Sequence, residues 1–246
     1  MPKNLWAASS RNPGRHHPVL PRAHLSKLGE EANCKVIRMP EPFNYSRLCN
    51  EAAAKSRARF LVFLNNDTEI VEASWLERLL AFASRPDVGA VGAKLLYPKG
   101  RVQHAGVLIS VDGLAGHFQC GLAASDPGYF GRLCSPHDVG AVTAAFLPVE
   151  DEKFFAVGGF DERNLPVDLN DVDLCLRLTE RGWRALCDPT VRVIHQESGA
   201  RRAKVRLDER YKTQHDYFRV GWRDRIQDDP YFHPALSLDT LIAALG

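Results

Sequence analysis

Three positions carry side chains suited to metal and proton chemistry at points where predicted strands or helices begin or end. Asp67 follows the apolar run 60–64, Asp171 opens a predicted helix, and His195 follows a short strand. An open α/β sheet gathers such side chains at the carboxyl ends of its strands, where these sheets bind ligands. A carboxylate and an imidazole suit a divalent ion such as Mn²⁺ or Mg²⁺, whose other positions water and phosphate oxygens fill. We therefore predict a metal site at Asp67 and His195.

Each of these residues also has a structural interpretation that the sequence leaves open. Residues 65–67 could be only a polar turn that caps the next helix. His195, taken alone, is more often a partly buried histidine than a ligand. Asp171 and Asp173 could serve as helix caps and first-turn charges, with Asp173 paired to Arg177. The same helix dipole would keep Asp171 ionised, as a base that abstracts a hydroxyl proton requires.

The elements that must position these residues follow from the hydrophobic pattern, which predicts one α/β domain. The run 60–64 is typical of a strand buried on both faces, and a strand at 34–39 with a helix from Asn44 or Ser46 would complete a βαβ unit. Further strands are predicted at 88–96, 102–110, 184–187 and 191–194, and helices at 72–84, 171–181 and 208–222. Residues 112–136 show no clear hydrophobic period, and we interpret them as a long functional loop. His104 and His117 flank that loop, and the sequence assigns them no chemistry.

Composition excludes several classes of function. The 246 residues have a net charge of +2 spread along the chain, which gives no reason to expect nucleic acid as a partner. Six cysteines without a C-x-x-C pair indicate a reduced, cytoplasmic protein. No apolar run approaches the ~20 residues that span a bilayer, so any membrane association would be peripheral. A basic group at 201, 202, 204 and 206 suits a diphosphate leaving group, although a solvated basic face is commoner.

Eight stretches together carry a resemblance to a known family. They are PFNYSRLCNEAA (42–53), FLNNDTEI (63–70), GRVQHAGV (100–107), DPGYFGRL (126–133), VGGFDE (157–162), LNDVDLCLRL (169–178), IHQES (194–198) and DDPYFHPALSLD (228–239). In these the chain resembles bacterial family 2 glycosyltransferases of the rhamnosyltransferase-like type, which act in O-antigen and cell-surface polysaccharide biosynthesis. The resemblance implies the Rossmann-like GT-A fold, a mostly parallel sheet with antiparallel additions. It also implies inverting transfer of a sugar from a nucleotide-diphosphate donor to a hydroxyl of a saccharide or lipid-linked saccharide.

The resemblance also implies roles for individual residues around the donor. Asn65, Asn66 and Asp67 match the family's DxD-type segment, in which Asp67 holds the metal-binding position and the two asparagines contact the donor. His195 matches the family's late metal-binding histidine. The implied cofactor is therefore Mn²⁺ or Mg²⁺, bound by Asp67 and His195.

Three further matches concern the reaction itself. Asp171 matches the catalytic base of the family's Glu-Asp motif, with Asn170 in place of the glutamate. Ser198 and Arg201 match a segment near the donor diphosphate.

One departure concerns the start of the domain. The family begins with a strand, a helix and a second strand ending in Asp-Asn-Gly-Ser, whereas here residues 1–33 are interpreted as an irregular segment before a domain at 34–225 and a tail at 226–246. We therefore expect an N-terminally truncated domain, located in the cytoplasm or at the inner face of the membrane. Two alternatives stay open: a catalytically inactive remnant that acts as a binding or assembly subunit, and a second copy or partner chain that completes the sheet.

Overall fold

Two short parallel strands come first in the chain. The computed structural model describes residues 5–9, 34–38, 42–111, 114–196, 211–226, 229–237 and 243. In it β1 (Leu5–Ser9) pairs with β2 (Cys34–Arg38), with Leu5 opposite Cys34. The prediction that residues 1–33 are irregular is therefore wrong at β1. Prolines, arginines and histidines surround this five-residue run and obscure its strand pattern.

The main sheet brings three carboxyl ends to one edge. Its strand order is β3 (Phe60–Leu64), β10 (Phe146–Glu150), β5 (Val88–Leu96), β11 (Arg184–His195) and β4 (Thr68–Ile70), with β6 (Val102–His104) added to β5 and β9 (His137–Val139) to β11. β3, β5 and β11 run in the same direction, because β10 is antiparallel to both β3 and β5. Their carboxyl ends therefore share one edge, which we call the rim.

The strand pairing differs from the prediction in three ways. Within this sheet only β5 and β11 pair in parallel among the described strands, so antiparallel pairing has a larger share than predicted. β3 lies at one end of the order, and Leu64 is 40% exposed. The run 102–110 divides at Gly106 into β6 and β7 (Val107–Ile109), and β7 pairs with β8 (Ala115–His117) inside the segment interpreted as a loop.

Helices cover both faces of the sheet. They are α1 (Tyr45–Ala54), α2 (Trp75–Ala83), α3 (Asp151–Ala156), α4 (Asn170–Glu180) and α5 (Lys212–Gly221). One face packs against α1, α3, α4 and α5, and the other against α2. The Asn44 side chain caps α1 by accepting a hydrogen bond from the Arg47 N–H at 2.8 Å, as predicted. Both faces of the central strand β5 are thereby buried.

Close packing over β5 depends on a residue without a side chain. A Cβ atom added at Gly92 would lie 2.6 Å from Val142 Cγ1 and 2.8 Å from Val142 Cβ. We expect Gly92→Ala to lower the free energy of unfolding by about 1–3 kcal/mol, the usual cost of overpacking a core. Denaturant melts of Gly92→Ala and of the Gly92→Ala/Val142→Ala pair check this. Measured against Val142→Ala alone, which removes Cγ1 and keeps Cβ, the change Gly92→Ala should cost less than it costs in wild type, and an equal cost in both backgrounds would contradict the packing argument.

Candidate active site

Asp67 is held at the rim by backbone contacts on both sides of its turn. β3 ends at Leu64, and the next N–H, of Asn65, donates to the Ala145 carbonyl at 3.0 Å. The Thr68 hydroxyl closes the turn by donating to the Asn65 carbonyl at 2.7 Å. The Gln196 N–H donates to the Asp67 carbonyl at 2.9 Å, which ties the turn to the end of β11. The position of Asp67 is therefore fixed by the sheet itself.

His195, the last residue of β11, lies directly against Asp67. Its Nε2 is 3.1 Å from Asp67 Oδ1, and the two side chains are 6% and 2% exposed. Its Nδ1 is 2.7 Å from Gln103 Oε1 on β6. The Asn65 side-chain nitrogen lies 3.4 Å from Nε2, whereas Asn66 is exposed on the same turn. The predicted pairing of Asp67 with His195 is thus present, although they lie 128 residues apart in the chain.

The donor set of this pair fits a divalent cation. An imidazole nitrogen and a carboxylate oxygen suit Mn²⁺ and Mg²⁺, and adjacent ligands at about 2.0–2.1 Å in an octahedron lie roughly 3 Å apart. The observed separation is 3.1 Å. Within the described residues no group of three or more His, Cys, Asp or Glu side chains could hold a metal. In an octahedral site, two protein ligands would leave the other positions to water and phosphate oxygens.

Asp171 lies at the same rim, one segment away from this pair. Its Oδ1 accepts a hydrogen bond from the Val172 N–H at 2.8 Å, and its Oδ2 accepts one from the Ala144 N–H at 2.9 Å. The next residue, Ala145, accepts from Asn65 on the turn that carries Asp67. Residues 143–145 therefore separate Asp171 from the pair, so that Asp171 and the Asp67–His195 pair flank one segment.

Burial determines the sign of the shift in the Asp171 pKa. Burial raises the pKa of this carboxyl, while hydrogen bonds from the Ala144 N–H, the Thr143 hydroxyl and the Val172 N–H lower it in part. The helix dipole favours the ionised carboxylate, whereas the burial of this side chain acts in the opposite direction. A raised pKa suits a general base, because proton transfer is most effective when that pKa approaches the working pH.

The neighbouring residues of α4 have structural roles. Asp173 is buried, accepts a hydrogen bond from Trp222 Nε1 at 2.9 Å and pairs with Arg177 at 2.7 Å, as predicted for these i,i+4 positions. The Asn170 side chain donates to the Ser46 hydroxyl at 2.8 Å and so joins α4 to α1. These contacts fix the helix start that presents Asp171.

Sequence reasoning missed Gln103, although it lies in the quoted stretch GRVQHAGV. The only sequence feature that marks Gln103 is its place in that stretch, within a predicted strand. His104 and His117 are its neighbours, and their ring centroids lie 4.6 Å apart. His117 Nδ1 is 3.0 Å from the Gln103 carbonyl oxygen. Ser198 and Arg201, predicted to lie near the diphosphate, fall outside the described residues, as do Arg202, Lys204 and Arg206.

The sequence comparisons identify relatives of this site. Residues 22–110 match the profile described as Glycosyl transferase family 2. The chain is 42% identical over 200 residues to the O-antigen biosynthesis protein RfbC of Myxococcus xanthus, which covers 80% of this chain. The chain therefore contains a glycosyl transferase family 2 domain. It is also 39% identical over 213 residues, or 86% of its length, to the uncharacterized protein y4gI of Sinorhizobium fredii. It spans only 15% of RfbC and 23% of y4gI.

Solved structures show the same fold in other glycosyltransferases. GalNAc-T7, crystallised with UDP, GalNAc and Mn²⁺, superposes with a TM-score of 0.58 at 15% identity over 79% of this chain and 38% of GalNAc-T7. The mannosyltransferase PcManGT of Pyrobaculum calidifontis, with GDP-Man and Mn²⁺, gives 0.58 at 14% identity over 92% of this chain and 55% of PcManGT. The predicted α/β class and GT-A fold are confirmed. None of the helices described is long and apolar enough to cross a bilayer.

Proposed function

We propose that this chain catalyses inverting transfer of a sugar from a nucleotide-diphosphate donor to a hydroxyl acceptor in O-antigen or other cell-surface polysaccharide biosynthesis. The observation that carries the proposal is the contact between Asp67 and His195 at the rim, one segment from Asp171. Mn²⁺ in both superposed structures and the relationship to RfbC support it. The acceptor class is a saccharide or lipid-linked saccharide.

Each residue has a distinct part in this proposal. Asp67 and His195 would hold a divalent cation, which supplies positive charge beside the donor diphosphate. Asp171 accepts the proton of the acceptor hydroxyl as its oxygen attacks the anomeric carbon. The bond from that carbon to the diphosphate breaks, and the nucleoside diphosphate leaves with the bonding electrons. Because attack and departure take place on opposite faces, the anomeric configuration inverts.

Product stereochemistry tests the proposed reaction directly. The purified protein is incubated with Mn²⁺, a saccharide acceptor and candidate UDP- and GDP-sugars, and the anomeric proton coupling of the product is measured by NMR. We expect a product whose anomeric configuration is opposite to that of the donor. A product with retained configuration would contradict the single-displacement mechanism, and hydrolysis of the donor without transfer would contradict the assignment of a hydroxyl acceptor.

The raised pKa of Asp171 predicts the acidic limb of the pH profile. Only the ionised carboxylate can accept a proton. The value of kcat/KM should therefore increase as the pH rises through the Asp171 pKa, and it should be low at pH values below that pKa. Because burial raises that pKa, the limb should lie above the ordinary carboxyl value of about 3.9. The titratable groups that face Asp171 are Asp168, Tyr45 and Cys175. A profile without a limb above pH 4 would contradict this assignment, provided that melting curves show the protein folded throughout.

A further inference from the structure

Gln103 brings a buried amide against the far side of the His195 ring. It lies in the middle of β6, is 1% exposed, and belongs to a strand paired with the carboxyl end of β5. Its Oε1 is 2.7 Å from His195 Nδ1, the nitrogen that faces away from Asp67. Because the strand fixes its backbone, Gln103 meets His195 in a defined orientation.

This contact determines which imidazole nitrogen carries the proton. An amide oxygen only accepts hydrogen bonds, so with Oε1 facing the ring, as it does here, His195 Nδ1 donates its N–H to Gln103. In the neutral ring Nε2 then carries a lone pair, which points at Asp67 Oδ1 at 3.1 Å. Two acceptors at that distance repel each other unless a positive charge lies between them. A divalent cation between the two atoms, or a second proton on the imidazole, would remove that repulsion.

We propose that Gln103 is a positioning residue that holds His195 in the Nδ1–H tautomer, so that Nε2 and Asp67 together bind a divalent cation. The inference rests on the proposed function and adds a residue to it. Metal-binding histidines usually donate their second ring N–H to an oxygen acceptor, and losing that acceptor typically costs 10–100-fold in metal affinity. Gln103 supplies such an acceptor from the strand beside β5.

The opposite orientation of the amide would give the opposite chemistry. If the Gln103 NH₂ group donated to Nδ1, Nε2 would carry the proton and donate it to Asp67. That arrangement satisfies every group without a cation. The two cases are separated by Gln103→Glu, because an ionised carboxylate can only accept: it preserves the proposed tautomer and disrupts the opposite one.

Mn²⁺ affinity in four proteins tests the proposal. We compare wild type, Gln103→Met, Gln103→Glu and the control Gln119→Met by titration calorimetry at pH 8.5 with Mn²⁺ alone. Gln119 is a matched control because it is also 1% exposed and its Oε1 accepts a hydrogen bond, from the Tyr129 N–H at 2.6 Å. We expect Gln103→Met to weaken binding 10–100-fold, and Gln103→Glu and Gln119→Met to stay within about threefold of wild type. Equal losses in Gln103→Met and Gln103→Glu, or none beyond the Gln119→Met control, would overturn the proposal.

A metal-free measurement separates this inference from the proposed function. In ¹⁵N-histidine-labelled protein at pH 8.5, the two ring-nitrogen shifts report the tautomer, and the signals of His195 among nine histidines are those lost in His195→Ala. We expect the Nδ1–H form in wild type and Gln103→Glu, and a mixture in Gln103→Met. An Nε2–H form in wild type would overturn the role of Gln103 even if Mn²⁺ binds. The Nδ1–H form in a protein that binds no Mn²⁺ would support that role while contradicting the metal site.

Discussion

Replacing Asp171 with asparagine is expected to lower kcat for sugar transfer by about 10²–10⁴-fold, because the variant lacks the group that accepts the acceptor's proton. Binding of nucleoside diphosphate with Mn²⁺ should stay within a few-fold of wild type, since Asp171 is separated from Asp67 and His195 by residues 143–145. Steady-state kinetics and calorimetry on the same preparations measure both quantities. The matched control is Glu180→Gln, the same change of acid to amide at the exposed far end of α4.

Folding must be measured alongside activity for this variant. The two Asp171 oxygens accept from the Val172 and Ala144 N–H groups, so an asparagine NH₂ group would face one of these donors in either orientation. Thermal melts and a second variant, Asp171→Glu, separate a lost base from a disturbed segment. If Asp171→Asn stays folded and turns over at the wild-type rate, Asp171 is not the base.

Removing either residue of the Asp67–His195 pair should have a comparably large effect. Charge stabilisation by a bound cation is worth several kcal/mol, and each 1.36 kcal/mol is a factor of ten in rate. We expect Asp67→Asn and His195→Ala each to lower kcat/KM by about 10²–10³-fold. The double variant should be little worse than either single one, because the two residues act as a unit. Kinetics over a range of Mn²⁺ concentrations measure this.

The chain offers a second histidine–aspartate pair as a control. His215 lies on α5, and its Nε2 is 2.7 Å from Oδ2 of Asp168, the second residue before α4. His215→Ala should leave Mn²⁺ affinity unchanged, whereas His195→Ala should abolish tight binding. Equal effects of the two changes on Mn²⁺ affinity would mean that general destabilisation, and not loss of a ligand, explains the result.

The sequence predicted the parts of this site that depend on local pattern. β3 and β5 have the predicted bounds because an apolar run that ends in a polar turn or at a proline marks both limits of a strand. Asn44 as the α1 cap and the Asp173–Arg177 pair follow from spacing along one helix. The contact between Asp67 and His195 was predicted because each follows a strand, and the carboxyl ends of the strands in an open α/β sheet gather at the site where such sheets bind ligands.

Other features depend on pairing that no local pattern reveals. β11 was predicted as two strands because Pro189 interrupts it, yet an irregularity between Asp188 and Arg192 carries the strand past that residue. Buried Asp188 accepts a hydrogen bond from the Thr190 N–H at 3.0 Å there. Gln103 was missed because its role depends on a contact with His195, 92 residues away.

The shift in the Asp171 pKa shows a limit of a different kind. A position in the first turn of a helix is visible in sequence, and it predicts a carboxylate that is ionised at neutral pH. Burial is set by the surrounding elements, and here it raises the pKa against the hydrogen bonds from Ala144, Thr143 and Val172. The proposed role of Asp171 as a base follows from a motif, whereas the pH at which this carboxyl titrates depends on the folded environment.

The most direct test of the central claim, that Asp67 and His195 hold a divalent cation for a nucleotide donor, is calorimetric titration of wild-type protein and Asp67→Asn with UDP and with GDP, in the presence and absence of Mn²⁺. We expect that wild type binds at least one of these nucleotides only when Mn²⁺ is present, and that Asp67→Asn loses this dependence together with the affinity. Nucleotide binding that is equally strong without Mn²⁺, or that persists unchanged in Asp67→Asn, would contradict it.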